Sequence, residues 1–95
     1  MTKKEFIEEI ATRSGLTERD AEKAYRAFTE IVIETLGKGG KIQLPGFGTF
    51  ETFERTAREG RSPRTGEAIS IPAARLPRFR AGKGFKGIVK AEGEE

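Results

Sequence analysis

The sequence predicts an α+β fold: a helical hairpin base, a three-stranded antiparallel sheet drawn out into a long β-ribbon arm, and a short C-terminal helix. Three observations carry this. Apolar residues recur at helical spacing up to about residue 36 and begin to alternate from residue 41. From Arg55 to Arg80 there are seven arginines, no lysine and only two acids, Glu59 and Glu67, with almost no core residues among them. The centre of that stretch, Arg61-Ser62-Pro63-Arg64-Thr65-Gly66, is turn chemistry, because proline fixes φ, the hydroxyls bond nearby backbone and glycine accepts positive φ. Its two flanks therefore run back towards each other.

The helices come first. Thr2 followed three residues on by Glu5 forms a capping box, and the helix it opens carries Phe6, Ile7, Ile10 and Ala11 on one face before stopping near Ser14-Gly15. Thr17 caps the next helix, with Glu18 and Asp20 placed for its dipole. That helix shows Ala21, Ala24, Tyr25, Phe28, Val32 and Leu36 at helical spacing and ends in Gly37 to Gly40. Ile31 and Ile33 widen its apolar surface beyond what one short neighbouring helix covers. Two partners fit that surface, the sheet of the same chain or a second subunit, and the two are compatible.

Lys41-Ile42-Gln43-Leu44 alternates polar and apolar, as a half-buried strand does. Pro45-Gly46 turns the chain into a second strand, from Phe47 to Arg55. Phe47, Phe50 and Phe53 in that strand do not keep one phase of a two-residue period, so Gly48 marks a bulge or a close backbone approach. A third strand covers Ala68-Ile69-Ser70-Ile71 and continues towards Phe79, with Pro72 and Pro77 at edges, bends or bulges because neither donates to a ladder. A short helix follows from about Gly82, weakened by Gly84 and Gly87.

At 95 residues the chain is one small domain, in the range where a folded monomer is only marginally stable. Cysteine and histidine are absent, which excludes disulfides, thiolate zinc sites and the common nucleophile–base pairs. The expectation is a binding protein, not an enzyme, with no cofactor, metal or small-molecule substrate. Oligomerisation is the remaining way to enlarge the core. The N-terminal segment has no continuous apolar run, so neither a signal peptide nor a membrane span is expected, and the cytoplasm is the default location.

The net charge of +3 hides an asymmetry. Seven bases face eight acids before residue 41, whereas eleven bases face four acids from Lys41 to Lys90, and the end, Ala91-Glu92-Gly93-Glu94-Glu95, is acidic again. One half is built to meet negative charge, as nucleic acid or an anionic membrane surface would supply. The sequence has no amphipathic basic helix of the membrane-surface kind. Arginine is planar, weakly hydrated and suited to a narrow groove of concentrated negative potential, so an all-arginine hairpin favours insertion into a DNA minor groove over a solvated basic ribbon. Pro63 has two readings, a turn former or an apolar wedge that unstacks one base step. Gly37-Lys38-Gly39-Gly40 reads as a helix-terminating turn; at Gly82-Lys83-Gly84 the N–H groups opening a helix, with lysine beside them, suit one phosphate.

Gly46-Phe47-Gly48-Thr49-Phe50, the arginine triplet Arg55, Arg58 and Arg61, the Pro63-x-Thr65-Gly66 turn, and the Ile71-Pro72-Ala73 and Phe79-Arg80-Ala81-Gly82-Lys83 segments together resemble the HU/IHF family of bacterial nucleoid-associated, histone-like DNA-binding proteins. The resemblance runs from about Thr2 to Lys90 and is closer to HU. It implies an intertwined homodimer that binds double-stranded DNA, with preference for bent, nicked or distorted duplex, in the bacterial cytoplasm at the nucleoid. Its parts are a helical base over 1–40, a sheet saddle over 41–54 and 75–81, a DNA-binding arm over 55–74 and a C-terminal helix over 82–90. The acidic tail, 91–95, is expected to compete with DNA for the basic surface.

By the same resemblance Arg55, Arg58, Arg61, Arg64, Arg75, Arg78 and Arg80 serve the arm, with Pro63 at its intercalating tip. Lys3, Gly46, Lys83 and Lys86 meet the DNA backbone from the body. Phe28, Val32, Leu36, Leu44, Phe47, Phe50 and Phe79 form the shared dimer core. Three positions depart from the family pattern: Ser62 stands where asparagine or lysine precedes the proline, Ala81 replaces a common proline, and Phe53 occupies an arm base that is often polar or basic. The alternatives are a sequence-preferring IHF-like subunit and a basic structural module that binds acidic protein.

Overall fold

The computed structural model describes residues 1–93, with side chains through Ala91; Glu94 and Glu95, and with them most of the charge of the acidic tail, lie outside the described residues. The chain forms two compact units, Met1–Thr35 and the part from Leu36 onward.

In the first unit, helix α1 covers Lys3–Ser14 and α2 begins at Glu18 and runs to Gly37. The capping box is formed: Thr2 Oγ1 accepts from Glu5 N at 3.2 Å and the Glu5 carboxylate accepts from Thr2 N at 3.4 Å. Gly15, at φ 75°, closes the other end by donating to the Ala11 carbonyl at 3.0 Å, a conformation that favours glycine. Thr17 Oγ1 accepts from Asp20 N at 3.1 Å and so caps α2. The helical faces meet through Ile7, Ala11 and Ala21, with Ile10 and Tyr25 packed against them and the Phe6 ring edge-on to Tyr25 at 6.0 Å.

In the second unit, strand β1 is Ile42–Leu44, β2 Gly48–Arg55, β3 Arg58–Arg61, β4 Ala68–Ile71 and β5 Ala74–Ala81, followed by helix α3 over Lys83–Gly93. β1, β2 and β5 form a three-stranded antiparallel sheet in that order, and β3 pairs with β4 as a separate two-stranded ribbon. Phe47 N donates to the Leu44 carbonyl at 2.9 Å with Gly46 at φ 82°, the type II geometry that a Pro-Gly pair favours.

Two local differences from the sequence expectation, and one choice between its alternatives, stand out. The return strand is split at Pro72-Ala73, where proline supplies no N–H, so β4 and β5 are separate. The register nevertheless continues across the gap: Arg55 faces Ala74 and Arg58 faces Ile71, so two residues lie unladdered on each side and none is inserted. Gly48 makes no bulge, since both its ladders run in unbroken register. It marks the close approach instead, because a Cβ there would lie 2.5 Å from Phe79 Cζ and 2.7 Å from the Arg80 carbonyl oxygen. Finally, α3 extends to Gly93.

Candidate nucleic-acid interface

The arm is a short ribbon with a tight end. Ser62 N donates to the Glu67 carbonyl and Gly66 N to the Ser62 carbonyl, both at 2.8 Å, so Pro63-Arg64-Thr65-Gly66 forms a four-residue loop with Gly66 at φ 74°. Side chains brace it. Ser62 Oγ accepts from Arg64 N at 3.3 Å, Thr65 Oγ1 accepts from Glu67 N at 3.3 Å, and Arg61 Nη1 donates to the Gly66 carbonyl at 2.9 Å. Ser62 thus builds the turn, and Pro63 stands exposed at the end of the ribbon.

Pairing assigns each arginine to a side of the ribbon, because directly opposed residues share a face. Arg58 lies with Ile71, Gly60 and Ile69 on one face; Arg61 lies with Ala68 on the other. The unbroken register puts Arg55 in phase with Arg61. A spacing of three in a strand therefore distributes the triplet to both faces. Arg55 Nη2 donates to the Pro72 carbonyl at 3.3 Å across the unladdered segment, while its Nε is buried with no hydrogen-bond partner among the described residues.

On the three-stranded sheet the pairs Thr49–Arg80, Glu51–Arg78, Phe53–Leu76 and Arg55–Ala74 share one face, and Phe50–Phe79, Thr52–Pro77 and Glu54–Arg75 share the other. The first face is charged. Glu51 Oε2 accepts from Arg78 Nη2 at 2.5 Å, its Oε1 lies 3.3 Å from Arg80 Nη2, and the Arg78 guanidinium sits 5.1 Å from the centre of the Phe53 ring. The Arg78 hydrogen bond holds the Glu51 carboxyl below its ordinary pKa; partial burial opposes it, and the positive charges of Arg80, Arg78 and Lys41 add to it. Arg75 is on the opposite face, where its Nη2 donates to the Gly37 carbonyl at 2.8 Å. The seven arginines are therefore not one surface.

Residues from the β1–β2 turn and the start of α3 border a cleft of about 330 Å³ edged by Gly46, Gly48 and Gly82. Gly82 N donates to the Phe47 carbonyl at 2.8 Å, which ties the helix start to that turn, and Lys83 and Lys86 follow as exposed side chains on the first turn of α3.

The model for the family described as bacterial DNA-binding protein matches residues 1–90. The chain belongs to the HU/IHF family. It is most like HU. The DNA-binding protein HU of Lactococcus lactis subsp. lactis is 59% identical over 88 residues, 93% of this chain and 97% of that protein. That of Clostridium pasteurianum is 59% identical over 89 residues, 94% of this chain and 98% of its own length. Among solved structures, an Anabaena HU–DNA cocrystal structure superposes with a TM-score of 0.89 at 44% identity, over 94% of this chain and 97% of that one.

In this HU-family chain Lys3 lies within the helical unit, 3.9 Å from Glu22 and 5.7 Å from the centre of the Tyr25 ring. The residues expected in a shared core divide. Leu36 is buried and Val32, Leu44 and Phe50 are half-buried, whereas Phe28, Phe47 and Phe79 are 45%, 44% and 38% exposed in the single protomer. Phe47 stacks on Phe85 at 5.4 Å, and Phe79 lies 5.1 Å from Phe47 and 4.8 Å from Phe50. An apolar groove of about 400 Å³ runs beside this ring cluster, between Phe79, Ala81, Phe85 and Val89.

Glu51 is the member of the charged face that the sequence reading passed over. Its signal exists only once the β2–β5 register is known, since that register alone puts this acid in phase with two arginines twenty-seven and more residues away. Among the described residues there is no group of His, Cys, Asp and Glu able to hold a metal ion, and no helix is long and apolar enough to cross a membrane.

Proposed function

We propose that this chain is an architectural protein that bends and compacts duplex DNA with little regard to sequence, working as a homodimer whose two ribbon arms enter the minor groove. The observation that carries the reading is the arm: a two-stranded ribbon with arginines in phase on both faces and an exposed proline at its end. A ribbon in a groove has a phosphate wall on each side, and charge on both faces suits that setting. Minor-groove architectural proteins, the HU family among them, insert apolar wedges that partly unstack a base step and kink the duplex. Pro63 is the wedge here. Arg55, Arg58, Arg61 and Arg64 hold the groove walls, Arg78 and Arg80 face the duplex from the sheet, and Lys3, Gly46, Lys83 and Lys86 meet backbone phosphates. Flexible, nicked or already bent DNA lowers the cost of deformation and is preferred.

Exposed apolar surface supports the dimer. Ile88, Val89 and Ile31 are 67%, 57% and 56% exposed, and the ring cluster around Phe79 is half open. A chain of this size with so much of its apolar surface in water gains its core by pairing with a second copy. The protein then works at the bacterial nucleoid, in a binding and not a catalytic role.

The test is a competition at physiological salt between a linear duplex and the same duplex carrying a nick, with the bend read by energy transfer between its ends. Tighter binding to the nicked duplex with a strong bend is expected. Equal affinity without bending would refute the reading. With six to ten phosphates contacted, affinity is expected to fall by about 10³- to 10⁵-fold between 50 and 200 mM salt.

A further inference from the structure

Glu51 is the residue on the charged face of the sheet that a polyanion-binding surface has no evident need of. Its side chain is only 14% exposed, whereas those of Arg78 and Arg80 above it are 48% and 61% exposed. One carboxylate oxygen goes to each guanidinium, so the acid lies beneath two arginines and between them. The Phe53 ring holds the Arg78 guanidinium from a further side. Each guanidinium has five N–H donors in a planar fork, so those not turned to Glu51 remain for an incoming anion. By contrast, among the described residues no ion pair is formed by Arg58, Arg61 or Arg64 on the arm.

We propose that Glu51 is an intramolecular counterion of the DNA-facing sheet, which fixes the Arg78 and Arg80 guanidinium groups in place and cancels one of their two charges towards a phosphodiester. The inference rests on the reading of this chain as a DNA-binding protein. Its consequence is a division of labour. The arms carry uncompensated charge, and the sheet offers oriented donors with a net charge of one per protomer instead of two. A duplex phosphate that docks on the sheet releases fewer counterions than the arginine count implies, so the salt dependence of binding is shallower than a census of basic residues predicts.

The experiment measures affinity for one fixed duplex as a function of salt, with wild-type protein, Glu51→Gln and Glu51→Asp, each checked for fold by circular dichroism. Glu51→Gln keeps the shape and an acceptor oxygen but removes the charge. It is expected to bind more tightly at 50 mM salt and to steepen the log–log salt slope by about 0.9 per protomer, an added loss of about 3- to 4-fold per contact between 50 and 200 mM. Glu51→Asp keeps the charge and is expected to keep the wild-type slope.

The charge-conserving double variant E51Q/R78Q provides a second arm should Glu51→Gln fail to fold. It is expected to keep the wild-type slope, whereas a bystander Glu51 predicts a slope shallower by about 0.9 per protomer. A wild-type slope in Glu51→Gln, or weaker binding without a change of slope, overturns the proposal and leaves the acid a structural brace. Those outcomes are read on a wild-type protein that binds and bends DNA; if the wild type does neither, it is the functional reading that fails.

Discussion

Arg75 Nη2 donates to the carbonyl of Gly37 at 2.8 Å, so the start of β5 is tied to the last residue of α2. The guanidinium also packs against Gly39, where a Cβ would lie 3.1 Å from Arg75 Nη1. A cation at a helix C-terminus satisfies an orphan carbonyl and suits the dipole. Arg75→Ala is expected to lower stability by about 1 kcal/mol, measured by urea unfolding at fixed protein concentration. If Arg75 is occupied in this way on DNA as well, the salt slope of DNA binding is unchanged in the variant, and a slope shallower by about 0.9 would return it to the DNA surface.

Gly48 has backbone on one side and a ring on the other, at 2.7 Å and 2.5 Å from the place where a Cβ would be. The ladder fixes the Arg80 carbonyl, so this neighbour does not give way cheaply. Gly48→Ala is expected to cost about 1–3 kcal/mol by overpacking and to lower the thermal midpoint. A variant as stable as the parent would mean that β2 and β5 separate more readily than their continuous pairing suggests.

At the arm tip the turn is closed by Ser62, Thr65, Gly66 and Arg61, not by the proline ring. Pro63→Ala is therefore expected to leave the ribbon and the folded protein intact, and to leave most of the charge-driven affinity in place. The bend angle of bound duplex should fall, because unstacking a base step depends on an apolar wedge. An unchanged bend would reduce Pro63 to a shaper of the turn.

Glu51 has its pKa depressed in the folded protein, first by the Arg78 hydrogen bond. A depressed carboxyl contributes stability that is present above its unfolded pKa and is lost as pH falls through the folded value. In acid titration, the stability difference between wild type and Glu51→Gln is expected to be constant at neutral pH and to shrink below about pH 4. A difference that survives far into the acid range would show that packing, not charge, separates the two.

What the sequence made legible was local. The capping box at Thr2 and Glu5, the left-handed Gly15, the Thr17 cap and the Pro45-Gly46 turn each depend on residues within a few positions of one another, and each forms. The close approach at Gly48 was legible as one of two options, because a glycine in a strand signals either. The allocation of side chains to faces was not. Phe50 and Phe53 fall on opposite sides of the sheet, as do Arg75 and Arg78, and both follow from the β2–β5 register, which joins residues far apart in the chain. The split of the return strand was half visible: Pro72 was expected at an edge, bend or bulge, but only the pairing shows that the break leaves the register untouched.

That untouched register has a consequence for how arms of this kind can change length. Both strands spend equal numbers of residues between sheet and tip, so lengthening the arm without a bulge takes matched additions to the two sides. One added residue per strand turns every side chain beyond it to the opposite side, moving Arg61 to where Arg58 was; two per strand restore the original allocation. The arm thus grows in steps of two residue pairs, about 7 Å each at the usual strand rise.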